Sequence, residues 1–468
     1  IPVGASLDRY YDDGAYLVGG YPGQGLGWGG VMFGYCVRPP DPMIVGDKWR
    51  EMWFQRLDKT PMFLEKWLRH QLRDETWKHG SICEDYERIK IPVLGISGWN
   101  DCWPNTVIRL LENIKSPCRV VSGAWGHVYP NLGGPNPVGF LQLAREWFDY
   151  WLKGIDNEAL KGPAFWAFLQ DSHKPNPRPL DRPGRWVKED KWPSKNIMPK
   201  RYYIRQGGLY EEPTNIYAEV GISSPLSLGL MSGEYMPISG VAELAQDQRK
   251  DDVYSTCFET EPLNEPLALL GTTFVNLRVS SDSTHGMVAV RLCDISPDGA
   301  STLMTFGLLN LKLRNGRNRI SSIKPNKFMK VSVRLNDTGW LIKTGNRLRI
   351  AISSQLWPMA WPLPEKVKLT LDVSKSYIDL PLRKSFSDTN IKSPFEEPVS
   401  ADKPPIDILE SASSERFINT EIEKKQIDLT VVNRGNKILF NESSLIYQAT
   451  DSQRYSIIED EPLSARIE

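Results

Sequence analysis

The sequence has no charge excess, because its 468 residues carry 57 Lys and Arg against 57 Asp and Glu. This balance argues against a general binder of nucleic acid or anionic membrane, which would carry a basic surplus. Apolar runs are short and interrupted by Pro, Gly or charge, so no membrane-spanning segment is predicted. The six cysteines include no C-x-x-C pair, which excludes a zinc ribbon and a disulfide framework and favours reduced thiols in the cytoplasm. The chain opens on Ile1 without a basic and apolar leader, so we expect no secretory signal and interpret it as a fragment or processed product.

Histidine is also scarce, so chemistry that needs an imidazole has few sources. The five candidates are His70, His79, His127, His173 and His285. Four of them fall in predicted helical, linker or turn segments, where a structural or solvated histidine is the expected role. Only His127 follows a predicted buried strand.

The first 165 residues alternate strand and helix patterns. Residues 91–97 (IPVLGIS) form an apolar run of buried-strand length, and residues 104–115 carry apolar side chains on one helical face. A second short strand is predicted over residues 119–124, and a longer helix over residues 139–153. A strand, a helix of about 12 residues and a second strand indicate a βαβ unit with parallel strands.

Between residues 43 and 80 the pattern is helical and rich in tryptophan. Trp49, Trp53 and Leu57 recur at four-residue steps, which places them on one helix face. These aromatic residues are interpreted as the core of an inserted helical subdomain. The alternative is that some of them line a pocket beneath a lid.

From residue 201 to about residue 383 short alternating strands replace helices. Strands are predicted over residues 273–280, 287–295, 347–354 and 366–373. The turn Ser296-Pro297-Asp298-Gly299 predicts a hairpin after the second of these strands. Several strands without intervening helices indicate a β-sandwich or jelly roll. Residues 384–418 are polar and predict an exposed connection, and a last hairpin is predicted over residues 427–440.

Two candidate groups follow the predicted parallel strands, Asp101 in one loop and His127 in the next. Ligands of parallel α/β sheets bind beyond the carboxyl ends of the strands. A carboxylate that contacts an imidazole there could form part of a nucleophilic triad, in which the Asp fixes the His tautomer. The alternative is that both residues are ordinary turn or surface residues.

The nucleophile is the difficulty, because no G-x-S-x-G motif occurs in the sequence. Ser97 ends a strand and Ser122 lies inside one, so neither stands on a strand-to-helix elbow. Cys102 adjoins Asp101 and could pair with His127 as a thiol nucleophile. No metal site is expected, since no further close carboxylate, histidine or H-x-x-x-H spacing is present, and no cofactor is implied.

Several segments resemble a known enzyme family. They are I-P-V-L-G-I-S-G-W-N-D (91–101), G-A-W-G-H-V-Y-P (123–130), F-D-Y-W-L-K-G-I-D (148–156), W-R-E-M-W (49–53) and R-L-C-D-I-S-P-D-G (291–299). Together they resemble the X-prolyl dipeptidyl-peptidase and cocaine-esterase-like serine hydrolases, over nearly all of residues 8–383. In combination the G-W-x-D and W-x-H motifs are fairly specific.

The resemblance implies an α/β-hydrolase domain with an inserted helical cap, followed by a jelly-roll β-sandwich. Residues 1–8 and 88–165 would form part of the hydrolase domain, 9–87 the cap, 166–384 the sandwich, and 385–468 a polar linker with an extra hairpin region. Members hydrolyse esters or amides through a Ser-His-Asp triad. Asp101 matches the triad Asp and His127 the triad His, while the Ser would lie upstream of this chain.

The predicted function is therefore hydrolysis of a small ester, an amide or a short peptide. Weaker pocket candidates are Trp99 and Trp103 beside the Asp loop, with Trp49 and Trp53 in the cap. Two other classes stay open: a binding protein that uses the β-sandwich beside a degenerate hydrolase remnant, and an acyl hydrolase that uses Cys102. A homodimer is left open, and nucleic-acid and membrane partners are not expected.

Overall fold

The computed structural model describes residues 1–11, 23–132, 134–235, 243–384, 393–402, 405–442 and 444–468. The helices within these ranges are α1 (Gly23–Cys36), α2 (Pro42–Val45), α3 (Trp49–Lys59), α4 (Phe63–Arg69), α5 (Glu75–Lys78), α6 (Thr106–Asn113), α7 (Phe140–Lys153) and α8 (Arg249–Asp252). Residues 12–22 of the predicted cap and 385–392 of the predicted connection lie outside the described residues. In the described ranges, no helix combines the length and apolar character that a membrane span requires.

The strands are more numerous than the helices. They are β1 (Val93–Gly98), β2 (Cys118–Gly123), β3 (Phe165–Asp171), β4 (Gly184–Glu189), β5 (Ile197–Arg205), β6 (Gly208–Tyr210), β7 (Glu219–Ile222), β8 (Thr256–Glu259), β9 (Leu267–Gly271), β10 (Phe274–Ser281), β11 (Met287–Ile295), β12 (Ser301–Asn310), β13 (Met329–Arg334), β14 (Thr338–Ile342), β15 (Arg347–Ser353), β16 (Leu369–Arg383), β17 (Ile406–Glu410), β18 (Ser413–Glu421), β19 (Gln426–Arg434), β20 (Lys437–Phe440), β21 (Leu445–Tyr447), β22 (Thr450–Ile458) and β23 (Glu461–Ile467).

The predicted βαβ unit is confirmed. Strands β1 and β2 pair in parallel from Val93↔Cys118 to Gly98↔Gly123, and α6 connects them. Every residue of β1 is buried, as expected for a parallel strand that is covered on both faces. The other edge of β1 is paired as well, because Val3 forms a parallel bridge with Ile96.

The sequence explains how α6 packs on this sheet and where α7 ends. On α6, Val107, Ile108 and Leu110 are buried, so the helix covers the sheet with its apolar face. Helix α7 ends at Gly154, whose φ of +71° is the left-handed conformation that glycine adopts without steric cost. The predicted helices over 104–115 and 139–153 are thus confirmed, with α6 shorter by two residues at each end.

Two sheets of the second half pack face to face. One is the far part of a twelve-stranded sheet in the order β1-β2-β3-β14-β9-β16-β10-β13, and the other has the order β12-β11-β15-β8. Apolar side chains from both sheets, including Leu277, Leu371, Val290 and Ile352, form one buried cluster. The hairpin predicted around residues 296–299 is confirmed by the antiparallel pairing of β11 with β12.

The parallel part and the sandwich share a continuous sheet. Strand β3 pairs in parallel with β2 on one side and with β14 on the other. The predicted boundary between residues 165 and 166 therefore falls at the start of a strand that belongs to both parts; the boundary itself stays a prediction. A mixed α/β portion followed by antiparallel sheets confirms the predicted fold class.

The prediction of a last hairpin over residues 427–440 is wrong. Strand β19 pairs with β18 and β22, whereas β20 pairs with β17 and β21 in a separate sheet. The reason is burial, because Leu429 and Val431 on β19 pack against Leu226 and Trp357 of the preceding sandwich. This long-range contact outweighs the local turn signal at the N-R-G-N sequence.

Candidate active site

The site begins at the carboxyl ends of β1 and β2. Beyond Gly98, the backbone N–H of Trp99 donates to the carbonyl of Gly123 at 2.9 Å. The side chain of Asn100 then donates to the carbonyl of Ala124 at 2.8 Å. These bonds between the two loops hold their tips together, as expected for neighbouring parallel strands.

Asp101 and His127 meet at these loop tips. Nδ1 of His127 lies 3.2 Å from Oδ2 of Asp101. The Asp101 side chain is 4% exposed and that of His127 is 30% exposed, so the carboxylate is enclosed while the imidazole reaches the surface. The sequence prediction that these two residues come together is therefore reproduced by the structure, whereas their catalytic role stays a proposal.

The other oxygen of Asp101 is also engaged. Oδ1 accepts a hydrogen bond from the backbone N–H of Trp103 at 3.1 Å, and the thiol of Cys102 lies 3.3 Å from it. These contacts fix the plane of the carboxylate and leave Oδ2 directed at His127. The hydrogen bond to Asp101 raises the pKa of His127 above its ordinary value, although partial burial acts in the opposite direction. Asp101 thus favours the protonated imidazole.

The imidazole faces a cavity of about 180 Å³. Its lining is formed by Val3, Gly4, Ser97, Asp101, Trp125, His127, Val128 and Tyr129. The indole of Trp103 packs edge-to-face on His127 with 4.9 Å between ring centroids. A small group placed in this cavity would contact the imidazole and a mainly apolar wall.

The four predicted pocket tryptophans have different positions. Trp103 contacts His127 directly, whereas Trp99 is only 8% exposed and donates its indole N–H to the carbonyl of Phe168 at 2.7 Å. Trp99 therefore belongs to the core, although its edge borders a separate cavity of about 80 Å³. Trp49 and Trp53 stack on each other on α3, and neither lines the cavity at His127.

The three alternative nucleophiles are all buried. Ser97 lines the cavity, but its hydroxyl donates to the carbonyl of Trp103 at 2.9 Å. Ser122 is fully buried within β2. Cys102 is 6% exposed, and its thiol shares the Asp101 carboxylate with His127. Among the described residues that line this cavity, Ser97 is the one serine.

Two features of the site escaped the sequence argument. Gly4 lies against the Asp101–His127 pair although nearly a hundred residues separate it from Asp101, and no local motif marks it. One donor atom each from Asp101, Cys102 and His127 also lie within 4.8 Å of one another, a spacing that can hold a metal ion. The sequence search considered carboxylates and histidines and overlooked the thiol as a third donor.

Two family models match the chain. Residues 1–129 match the X-Pro dipeptidyl-peptidase (S15 family), and residues 163–392 match the X-Pro dipeptidyl-peptidase C-terminal non-catalytic domain. The first match contains Asp101 and His127, and the second contains most of the sandwich.

Curated relatives support the same family. Cocaine esterase of Rhodococcus sp. (strain MB1 Bresler) is 24% identical over 332 residues, which is 64% of this chain and 54% of the relative. A putative Xaa-Pro dipeptidyl-peptidase of Bacillus anthracis is 19% identical over 398 residues, or 82% of this chain and 59% of the relative. The chain thus spans little more than half the length of these two relatives.

Solved structures share the fold. A CocE/NonD family hydrolase from Staphylococcus aureus superposes with a TM-score of 0.61 at 14% identity, over 81% of this chain and 66% of its own. An alpha-amino acid ester hydrolase gives a TM-score of 0.63 at 16% identity, over 82% and 73% of the two chains. At these identities the likeness supports the fold alone. The two family models, together with the curated relatives, show that the chain belongs to the X-prolyl dipeptidyl-peptidase and cocaine-esterase-like family of serine hydrolases.

Proposed function

We propose that this chain supplies the acid–base half of a Ser-His-Asp hydrolase that cleaves an ester or amide with a small apolar acyl group. The observation that carries the proposal is the hydrogen bond between His127 and the enclosed carboxylate of Asp101, at the carboxyl ends of adjacent parallel strands. Family membership supports the reaction class.

The geometry of the pair supports a role for each residue. His127 would take the proton of the attacking serine and return it to the leaving group. Asp101 would hold the imidazole in one tautomer and stabilise its charge, in line with the raised pKa of His127. The apolar wall that Val3, Trp125 and Val128 form favours an acyl group without charge.

The serine nucleophile is proposed to come from a segment outside residues 1–468, because these residues contain no G-x-S-x-G motif. Val3 pairs with β1 on the side away from β2, so a further parallel strand could continue the sheet beyond Val3. The carboxyl end of that strand would open toward the same edge as Asp101 and His127. A serine elbow there would be in the position that this fold requires.

The nucleophile can be tested by trapping the acyl-enzyme. The protein translated from the complete coding sequence is mixed with p-nitrophenyl butyrate, quenched in acid and analysed by peptide mass spectrometry. The proposal predicts a butyryl group on one serine outside residues 1–468. A butyryl group on Cys102 would instead support the thiol hydrolase, and the absence of any butyryl adduct would favour a binding protein.

A further inference from the structure

We propose that Asp101, Cys102 and His127 form a binding site for a thiophilic divalent cation of the Zn²⁺ class. One carboxylate oxygen, one thiol sulfur and one imidazole nitrogen converge within 4.8 Å of one another. Binding of the metal depends only on these three side chains. The inhibition of hydrolysis that metal binding would cause rests on the proposed function.

The fold presents the three donors as a group. Asp101 and Cys102 are consecutive residues in the loop after β1, and His127 is in the loop after β2. The Asp101 carboxylate is the centre, with Nδ1 of His127 at 3.2 Å from one oxygen and Sγ of Cys102 at 3.3 Å from the other. Cys102 is a reduced thiol.

The spacing suits tetrahedral coordination. Zinc bonds of about 2.3 Å to sulfur and about 2.0 Å to nitrogen or oxygen place neighbouring ligands about 3.3–3.6 Å apart. The 3.3 Å contact between Sγ of Cys102 and Oδ1 of Asp101 already has nearly this length, while Nδ1 of His127 contacts the other carboxylate oxygen. Since all three donors lie within 4.8 Å, the sulfur and the imidazole need to approach each other by no more than about 1.3 Å. Rotation of the partly exposed His127 side chain can supply this movement.

The donor set also selects the class of metal. A mixed sulfur, nitrogen and oxygen set favours Zn²⁺ or Co²⁺ over Mg²⁺ and Ca²⁺, which prefer oxygen ligands. Because the protein offers three ligands, a water from the adjoining cavity of about 180 Å³ would complete the tetrahedron. On binding, the Cys102 thiol loses its proton to the buffer as the sulfur–metal bond forms, while the carboxylate and the neutral imidazole donate lone pairs.

Occupation of this site would block the proposed acid–base pair. The metal would take the place of the hydrogen bond between His127 and Asp101, so the imidazole would lose its orienting partner. We therefore expect reversible inhibition of hydrolysis that a chelator relieves. The Cys102 side chain is the ligand that distinguishes this site from a bare Asp–His pair.

The site can be tested in the 468-residue chain without any hydrolytic assay. The purified chain is reduced, freed of metal by chelation and titrated with Co²⁺. The proposal predicts one equivalent of Co²⁺ bound, with a thiolate-to-cobalt charge-transfer band and the intense visible bands of four-coordinate cobalt. Zn²⁺ added afterwards should displace the cobalt and abolish both sets of bands.

Matched variants assign the bands to residues. Cys102→Ser should abolish the charge-transfer band and weaken Co²⁺ binding by at least about tenfold, the lower end of what disturbed metal sites lose. His127→Gln should weaken binding similarly while keeping the sulfur band. Cys36→Ser, which removes an exposed thiol, should change neither result. A charge-transfer band that persists in Cys102→Ser, or full affinity in His127→Gln, would overturn the site.

The inhibitory consequence has its own readout. In the protein translated from the complete coding sequence, Zn²⁺ should inhibit p-nitrophenyl butyrate hydrolysis, and Cys102→Ser should raise the inhibitory concentration by at least about tenfold. Equal inhibition of both proteins would contradict this consequence. If that protein shows no hydrolysis, the proposed function fails, whereas the cobalt titration still decides the metal site.

Discussion

Gly4 lies directly against the carboxylate of Asp101. A Cβ atom at position 4 would stand 2.8 Å from Oδ2 of Asp101, closer than real Cβ contacts, and 3.2 Å from Nδ1 of His127, which is tighter than most such contacts. The backbone of Gly4 also has a φ of +57°, and its N–H donates to the carbonyl of Ile96 at 2.9 Å. The segment that follows Val3 thus covers the Asp–His hydrogen bond with bare backbone.

Substitution of Gly4 should therefore impair catalysis through the pair it covers. We expect Gly4→Ala to lower kcat for p-nitrophenyl butyrate by about 10²-fold with little change in KM, because a displaced catalytic group affects the chemical step. The protein from the complete coding sequence is used for the assay. Gly46→Ala is the matched control, because Gly46 has a φ of +61° and no atom within 4 Å of its Cβ position. Equal kcat losses in both variants would assign the effect to backbone strain alone.

The charge of Asp101 should matter more than its shape. Asp101→Asn keeps the volume of the side chain but cannot stabilise the protonated imidazole, so we expect kcat to fall by about 10⁴-fold. Asp58→Asn removes a carboxylate from the exposed surface of α3 and should leave kcat unchanged. Retention of more than a tenth of the activity in Asp101→Asn would contradict the assigned role.

Substitution of the tryptophans predicted for the pocket should have effects that depend on their positions. Trp103 packs on His127, so Trp103→Ala should lower kcat/KM by about 10-fold or more through loss of packing against the imidazole. Trp53 packs on Trp49, and its indole N–H donates to the carbonyl of Val37 at 2.9 Å. It does not line the cavity at His127. Trp53→Ala should then lower the melting temperature but alter kcat/KM by less than about threefold. If Trp53→Ala lowered kcat/KM more than Trp103→Ala did, the substrate would instead bind beneath the helices of the predicted cap.

The lowered pKa of a second histidine, His173, predicts how the free energy of unfolding depends on pH. Burial, assisted by the nearby Arg182 guanidinium, lowers the pKa of His173 to about 4. The unfolded chain, whose histidine has a pKa near 6.5, therefore binds more protons between pH 6.5 and 4. In that window stability should fall as pH falls, with His173 contributing at most about 1.4 kcal/mol per pH unit.

Urea unfolding at pH 7 and pH 5 measures this contribution. The loss of unfolding free energy between the two pH values should be smaller in His173→Gln than in the unmodified chain. His79→Gln, at an exposed position, should show the full loss. An identical loss in His173→Gln would mean that other groups govern the acid sensitivity.

The sequence was most informative where local pattern and burial agree. The continuous apolar run of β1 and the one-sided apolar face of α6 allowed the βαβ unit to be located, and the topology rule then placed Asp101 and His127 on one edge. Each of these inferences depends on residues that are close together in the chain. The exception is the placement of Asp101 and His127 on one edge, which depends on the pairing of two adjacent strands.

The features that sequence could not predict depend on distant contacts. Gly4 lies against Asp101 although nearly a hundred residues separate the two in the chain, and no spacing rule records such a contact. The four-residue spacing of Trp49 and Trp53 identifies a helix face but not the neighbour that the face meets. The N-R-G-N turn signal near residue 434 was likewise overridden, because Leu429 finds its partners more than 70 residues away at Trp357.

The most direct test of the proposed catalytic pair is the effect of His127→Ala on hydrolysis of p-nitrophenyl butyrate by the protein translated from the complete coding sequence. If His127 is the general base, kcat should fall by about four orders of magnitude or more, while the circular dichroism spectrum stays that of the unmodified protein. A His127→Ala variant with folded structure and kcat within tenfold of the unmodified protein would contradict the assignment.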